Sequence, residues 1–375
     1  MTRLLFLLFV LPTVIGCRQD ISKEPDTKTN GRNEVRFASG FSIVAYKDYS
    51  LLTVTQPWPN AEKTFAYVLK KKDAIVPDSL KGFPSVVVPI NKIIVTSTTH
   101  IPSLEMLGVA QTLVGFPNLK YISSEKILDR AAAGKIRELG SNQSLNTEVV
   151  LDLNPDVLIG YGIDNHNPAL DNLQNAGIKV VLNGDWNEQN PLGKAEWIKL
   201  FGVLYGKEEQ ADSIFNAVVS GYEKAIALAR SAKQRPVVLM GGLFENKWNV
   251  ASGESWGARF IKDANGQYPW AETKGTGSQS LPFEAVLEKA GNADVWIAPG
   301  QFSTLAEVLE SNPHYDQFKA FRNKNVYTFK VGKNRGILYY ELAPNRPDLV
   351  LQDVIKMLHP ELLPNHKLVF FEKMK

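Results

Sequence analysis

Short apolar runs bounded by turn residues alternate with helix-spaced apolar positions along most of this chain, and that alternation predicts an α/β fold. Lys92-Ile93-Ile94-Val95-Thr96 reads as a buried strand, a polar turn follows at Ser97-Thr98-Thr99-His100, and residues 103–108 are spaced for a helix. Strand, turn and helix open a βαβ unit. Leu113-Val114-Gly115 and residues 156–160 and 179–182 supply further apolar strands for the same parallel sheet. Ahead of them, period-two alternation at residues 41–46, 51–54 and 64–69 predicts a β meander.

The pattern changes after Ala195. One helix carries Trp197, Ile198, Leu200, Phe201, Val203 and Leu204 and stops at Gly206. A longer stretch then places Ala211, Ile214, Phe215, Val218, Val219, Tyr222, Ala225, Ile226 and Ala229 at i, i+3, i+4 and i+7 spacing. This predicts a helix of roughly 35 Å, long enough to run from one lobe to another. A second α/β set follows, with strands at residues 236–242, 294–298 and 325–329 and a closing amphipathic helix from Pro347 through Leu358. The predicted architecture is two Rossmann-like lobes with parallel sheets, joined by a single long linker helix, with a ligand cleft between them.

The chain opens with Met1-Thr2-Arg3, an apolar run over residues 4–11, and Val14-Ile15-Gly16-Cys17. A positive start, a short apolar stretch and a small residue before Cys describe an export signal, too short for the ~20 residues of a membrane span. The last four residues resemble the lipobox of bacterial lipoproteins, in which the Cys is acylated. Cys17 is the one cysteine of the 375 residues, so the chain offers neither a disulfide nor a second thiol for catalysis. Residues 18–33 are almost wholly polar and cannot bury enough surface to offset their ordering entropy, which makes them a tether. The expected division is signal peptide 1–17, tether 18–33, first lobe 34–205 with a β-rich extension over 34–90, linker helix 206–234 and second lobe 235–375.

Charge and motifs narrow the function classes. Forty-two basic against 39 acidic residues leave a net charge of +3, with no basic block of the kind that binds nucleic acid. There is no Walker phosphate loop and no His-Glu-x-x-His. The five His residues lack an i, i+4 metal pair, although His100 and His166 both fall on first-lobe loops.

An internal echo is more informative. Thr147-Glu148-Val149-Val150-Leu151 leads to Asp156-Val157-Leu158-Ile159, and Phe283-Glu284-Ala285-Val286-Leu287 leads to Asp294-Val295-Trp296-Ile297. In each copy a Glu opens a short helix that runs through a polar turn into a strand beginning Asp-Val. A carboxylate in a first helical turn is already stabilised by the exposed N–H groups there. The pair, in this order and spacing with Gly140, Gly253-Glu254-Ser255-Trp256, Arg346-Pro347-Asp348 and His359-Pro360, resembles the helical-linker class of periplasmic binding proteins. That family feeds ABC importers for iron-siderophores, haem and vitamin B12, and the likeness runs from about Ile93 to the C-terminus. The second copy departs from the family pattern in lacking Pro before Asp294.

The resemblance implies that Glu148 and Glu284 dock on a permease dimer that works with an ATPase, and that the ligand sits in the cleft without a resident cofactor. It also implies a monomeric receptor held at a membrane by its lipid. The expected ligand residues are Thr99, His100, Tyr161 and Trp186 on the first lobe, and Phe244, Lys247, Trp248, Trp256, Arg335 and Arg346 on the second. Tyr161 directly follows a strand end, where the B12-binding member of the family has a ligand-contacting aromatic. Flat rings suit a conjugated chelate and the cations an anionic one, which ranks a ferric siderophore ahead of cobalamin, with haem third. Two other readings stay open: an anchored hydrolase using Asp164 and His166, and a free-metal receptor.

Overall fold

The computed structural model describes residues 32–164, 166–332 and 336–375. The signal, Cys17, most of the tether and Arg335 lie outside the described residues.

The first sheet is a meander formed by β1 (Arg32–Asn33), β2 (Phe41–Ala45), β3 (Tyr49–Val54) and β4 (Phe65–Lys71), all antiparallel, closed by β5 (Ser85–Val88) parallel to β4. Two buried glutamates strap it to the next layer. Glu196 accepts the backbone N–H groups of Arg36, Phe37 and Ala38 at 2.9, 2.6 and 2.9 Å. Glu188 accepts those of Ser39 and Gly40, at 3.0 and 2.8 Å, and the Trp197 indole N–H at 3.2 Å. Consecutive N–H groups in an irregular segment need acceptors once buried, and the two carboxylates supply them.

The first-lobe sheet contains β6 (Ile93–Val95), β7 (Leu113–Phe116), β8 (Arg137–Glu138), β11 (Val157–Gly160) and β12 (Val180–Leu182), all parallel in the order β12-β11-β6-β7-β8. Ile93, Ile94 and Val95 are all buried because helices or the meander cover both faces of the sheet. Helices α1 (Ile101–Met106), α2 (Glu125–Ala132), α3 (Thr147–Leu153) and α4 (Pro168–Asn175) connect the strands, and a small hairpin of β9 (Gly140–Ser141) and β10 (Ser144–Leu145) precedes α3. The chain steps outward from β6 through β7 to β8, then returns to the other side of β6 as β11. Loops leaving β6 and β11 therefore diverge at a switch point, the place where α/β sheets open a crevice.

Three helices lead away: α5 (Pro191–Glu196), α6 (Ile198–Tyr205) and α7 (Glu208–Ala229). The expected long helix is α7, with 22 residues, about 33 Å of rise. It buries Ala211, Phe215, Val218, Tyr222, Ala225 and Ala229 against α6 and against α13 (Pro347–Leu358).

The second lobe holds β13 (Val238–Met240), β17 (Val295–Ile297) and β18 (Val326–Phe329) in parallel, with β19 (Phe371–Lys373) antiparallel at the edge. Between β13 and β17 lies a three-stranded antiparallel sheet of β14 (Leu243–Phe244), β15 (Lys247–Ala251) and β16 (Ser278–Leu281). Helices α8 (Trp256–Asp263) and α9 (Phe283–Ala290) flank it; α10 (Leu305–Ser311), α11 (Lys319–Arg322) and α12 (Leu338–Leu342) follow. Two parallel sheets and one connecting helix match the α/β fold expected from the sequence; β19 and the β14–β16 sheet were not expected.

Candidate ligand cleft

On the first lobe the cleft loops are locked by their own side chains. The Thr96 hydroxyl at the end of β6 accepts the Tyr161 N–H at 3.2 Å, tying the two diverging loops together. The Ser97 hydroxyl accepts the Thr99 N–H at 3.3 Å and lies 2.9 Å from the Thr99 hydroxyl, so Thr99 is held in a tight turn. Tyr161 is half-buried and its hydroxyl receives the Asn142 amide at 3.2 Å. The Trp186 indole N–H donates to Gly162 O at 3.1 Å, leaving the ring face open to solvent.

The meander braces these loops from behind. A Cβ on Gly184 would stand 2.6 Å from Gln56 O, and one on Gly162 would stand 3.0 Å from the Trp58 ring. Asn187 donates to Gln56 O at 3.3 Å. Both glycines make room for the meander, Gly184 for the backbone of Gln56 and Pro57 and Gly162 for the Trp58 ring, where these press on the loops that leave β12 and β11.

Beneath the loops lies a polar floor. The Lys194 ammonium donates to Asp185 O at 3.0 Å and Trp186 O at 2.7 Å, and sits 5.4 Å from the centre of the second lobe's Trp256 ring. Burial pulls its pKa down to about 8 against the opposing pull of Asp185 and Glu188. His100 Nε2 lies 3.9 Å from Asp185 Oδ1, and burial pushes the imidazole down toward its neutral form although Asp185 opposes this. Neither ring nitrogen of His100, nor the Trp256 indole nitrogen, has a hydrogen-bond partner among the described residues.

Several expected ligand residues therefore move. His100 is fully buried under the cleft and presents no surface to a ligand in this arrangement. Trp248 is buried as well: strict in–out alternation along β15 turns it inward, where it stacks on Trp296 at 5.5 Å and donates to Met240 O at 3.0 Å. Arg346 binds Asp348 through two parallel hydrogen bonds of 2.9 and 2.8 Å, so its guanidinium fork is already engaged at the start of α13. Trp256 opens α8 and packs on Phe260 and Tyr339, with ring centres 5.2 and 5.8 Å away. Phe244 and Lys247 face each other across the β14–β15 hairpin and are both exposed.

Large apolar side chains exposed on loops or short elements beyond strand carboxyl ends include Tyr121, Ile163 and Trp186 on the first lobe and Phe244, Val331 and Tyr340 on the second. Ile163, Val331 and Tyr340 escaped the sequence reading. For Ile163 and Val331 the position just after β11 and β18 was the available signal; Tyr340, on α12, carried none.

Glu148 and Glu284 stand in the first turns of α3 and α9, the helices that lead into β11 and β17, and both are exposed. Neither carboxylate has a side-chain partner among the described residues. Asp164 accepts the His166 N–H at 2.9 Å on an exposed loop, and no group of three His, Cys, Asp or Glu among the described residues is placed to hold a metal.

Two parallel α/β lobes, a stiff connecting helix and loops collected at strand carboxyl ends define the two-lobed binding-protein fold. The chain belongs to the periplasmic binding protein family, whose model matches residues 93–331, beginning at the first residue of β6. It is 30% identical over 321 residues to an uncharacterized lipoprotein of Methanocaldococcus jannaschii, covering 82% of this chain and 75% of the relative. A second uncharacterized lipoprotein of that organism is 25% identical over 357 residues, covering 92% and 88%. Among solved structures the fold is similar to a possible iron-binding (periplasmic solute-binding) protein from Staphylococcus epidermidis, with TM-score 0.57 and 18% identity over 72% of this chain and 99% of that one. It is also similar to a periplasmic heme binding protein of Vibrio cholerae, with TM-score 0.55 and 19% identity over 70% and 99%.

Proposed function

We propose that this protein is a lipid-anchored receptor that captures a metal chelate between its lobes and delivers it to an ABC transporter permease dimer with its ATPase. The observation that carries the reading is the set of exposed apolar side chains beyond the strand carboxyl ends of both lobes, Tyr121, Ile163 and Trp186 on one and Phe244, Val331 and Tyr340 on the other. Isolated exposed apolar residues are ordinary, but apolar side chains on the elements that follow strand carboxyl ends, where α/β folds bind ligands, suit a large, partly flat ligand.

Tyr161 and Trp186 are the first-lobe contacts and Phe244 and Trp256 those of the second, with Thr99 at the edge. With Arg346 engaged by Asp348, Lys247 is the cation at this end of the second lobe that supports an anionic ferric complex, so a ferric siderophore stays ahead of cobalamin and haem. Cys17 carries the lipid, residues 18–33 the tether, and the lobes divide at 34–205, 206–234 and 235–375. The lipoprotein relatives support export and anchoring; no helix of the described residues is long and apolar enough to cross a membrane. The protein acts by stoichiometric binding as a monomer, without turnover.

A thermal-shift panel of ferric hydroxamates, ferric catecholates, cobalamin and haem tests the proposal. A bound chelate at 100 times its Kd adds about 2.7 kcal/mol of stability. A shift with one class that is lost in Trp186→Ala supports the reading, and no shift with any class at saturating concentration refutes it.

A further inference from the structure

We propose that Glu341 and Asn345 are the positioning residues that pin the second lobe onto the first, and that Glu341 makes the pin respond to pH. Both stand on or just after α12, in the second lobe, and both reach the first. Glu341 accepts the backbone N–H groups of Ser123 and Ser124, at 2.6 and 3.0 Å, across 218 and 217 positions of sequence. Asn345 donates to Thr99 O at 2.8 Å and accepts the Ser103 hydroxyl at 2.8 Å. One short segment thus grips both the loop into α2 and the turn that carries Thr99 at the mouth of the cleft.

Glu341 is almost wholly buried. Its own element contributes Tyr339 and Tyr340. Against α12 lie the turn ending at His100 and helix α1, which carries Glu105; α2 begins with Glu125 and Lys126. Glu105 accepts the Ser124 hydroxyl at 2.6 Å and places a second carboxylate beside the first. Burial raises the Glu341 pKa to about 7, the two N–H donors oppose the rise, and Glu105 adds to it. The pinned state holds a proton that a solvated carboxylate releases near its ordinary 4.5. The sign follows: pinning is fully supported below about pH 4.5 and weakens as pH rises through about 7.

The inference rests on the two-lobed fold and not on the identity of the ligand, so its test uses the protein alone. Hydrogen exchange at the Ser123 and Ser124 amides, corrected for intrinsic rates, reads the pin directly. Protection is expected to fall about tenfold or more between pH 5.5 and 8.5, since each unit of pKa difference is worth a factor of ten. Glu341→Gln is neutral throughout and should give a flat profile, while Glu105→Gln should move the midpoint to lower pH with the fold intact. Protection at Ser123 and Ser124 that is independent of pH, or a Glu105→Gln profile that superimposes on the parent, would overturn the proposal.

Discussion

Asp156 and Asp294 hold the same place in the two lobes. The carboxylate of Asp156 accepts the N–H groups of Asn91 and Lys92, which lead into β6, at 2.6 and 2.9 Å, and that of Asp294 accepts the N–H of Val237, just before β13, at 2.8 Å. The sequence echo of Asp-Val thus reports one device used twice: a carboxylate that fixes where two parallel strands start beside each other.

Asp294 also takes the Lys319 ammonium at 2.6 Å. Burial raises its pKa, but the hydrogen bonds from Lys319 and Val237 prevail and hold it below the usual carboxylate range. Its contribution is present above about pH 4 and lost as acid titrates through the lowered pKa. Asp294→Ala should cost about 1–2 kcal/mol at pH 7, trimmed by solvent screening, in urea unfolding. The gap between parent and variant should narrow as pH falls below about 4; a gap unchanged on acidification would contradict the assignment.

Glu196 is the stronger test of the meander's attachment. Removing it strips acceptors from three N–H groups and leaves the buried Lys199, 3.0 Å away, with only Asp212 as an ionic partner. Glu196→Ala should lose about 3–5 kcal/mol in denaturant unfolding, and Glu196→Gln distinctly less. A loss under about 1 kcal/mol would show that the strap is incidental.

Trp248 and Trp186 should behave oppositely on truncation. Trp248→Ala opens a cavity in a ring cluster with Trp296, Tyr315 and Phe318 and should cost about 3–5 kcal/mol by calorimetry or chemical denaturation. Trp186→Ala, at an exposed face, should change stability by less than about 0.5 kcal/mol while weakening ligand binding. Equal destabilisation by both would argue against this placement.

Glu148→Ala and Glu284→Ala, alone and together, should leave ligand affinity and melting temperature near those of the parent, because neither side chain has a partner to lose among the described residues. Uptake by cells carrying the cognate importer should drop, most in the double variant. Full uptake with both glutamates removed would end the docking assignment.

Periodicity found the elements whose burial is dictated by neighbours on both sides, such as Ile93–Val95 and the Phe215 face of α7. It failed where tertiary geometry decides. Strand β14 has two residues, and its turn uses Glu245 and Asn246 with positive φ of 47° and 65°, without the glycine that marks such hairpins. Missing that hairpin hid the alternation that turns Trp248 inward. The sequence leaves Arg346 looking free because its partner, Asp348, stands in the first turn of α13, where a carboxylate is expected for the helix's own sake. Thr99 and Tyr161 could be placed on cleft loops from strand ends alone, whereas Glu188 and Glu196 could not: nothing local announces that seven backbone and side-chain donors will converge on two helix-proximal carboxylates.

The strapped segment at residues 36–40 also sets a mechanical direction. In the anchored state proposed here, the tether reaches the folded body at β1, so any pull from the membrane enters through Glu196 and Glu188 into the first lobe and stops there. The second lobe meets the first through α7, the α12 segment and the contact of Lys194 with Trp256, all away from that strap. The proposed anchor and the proposed α12 pin therefore act on the body at separate places, so the load of one is not applied directly to the other.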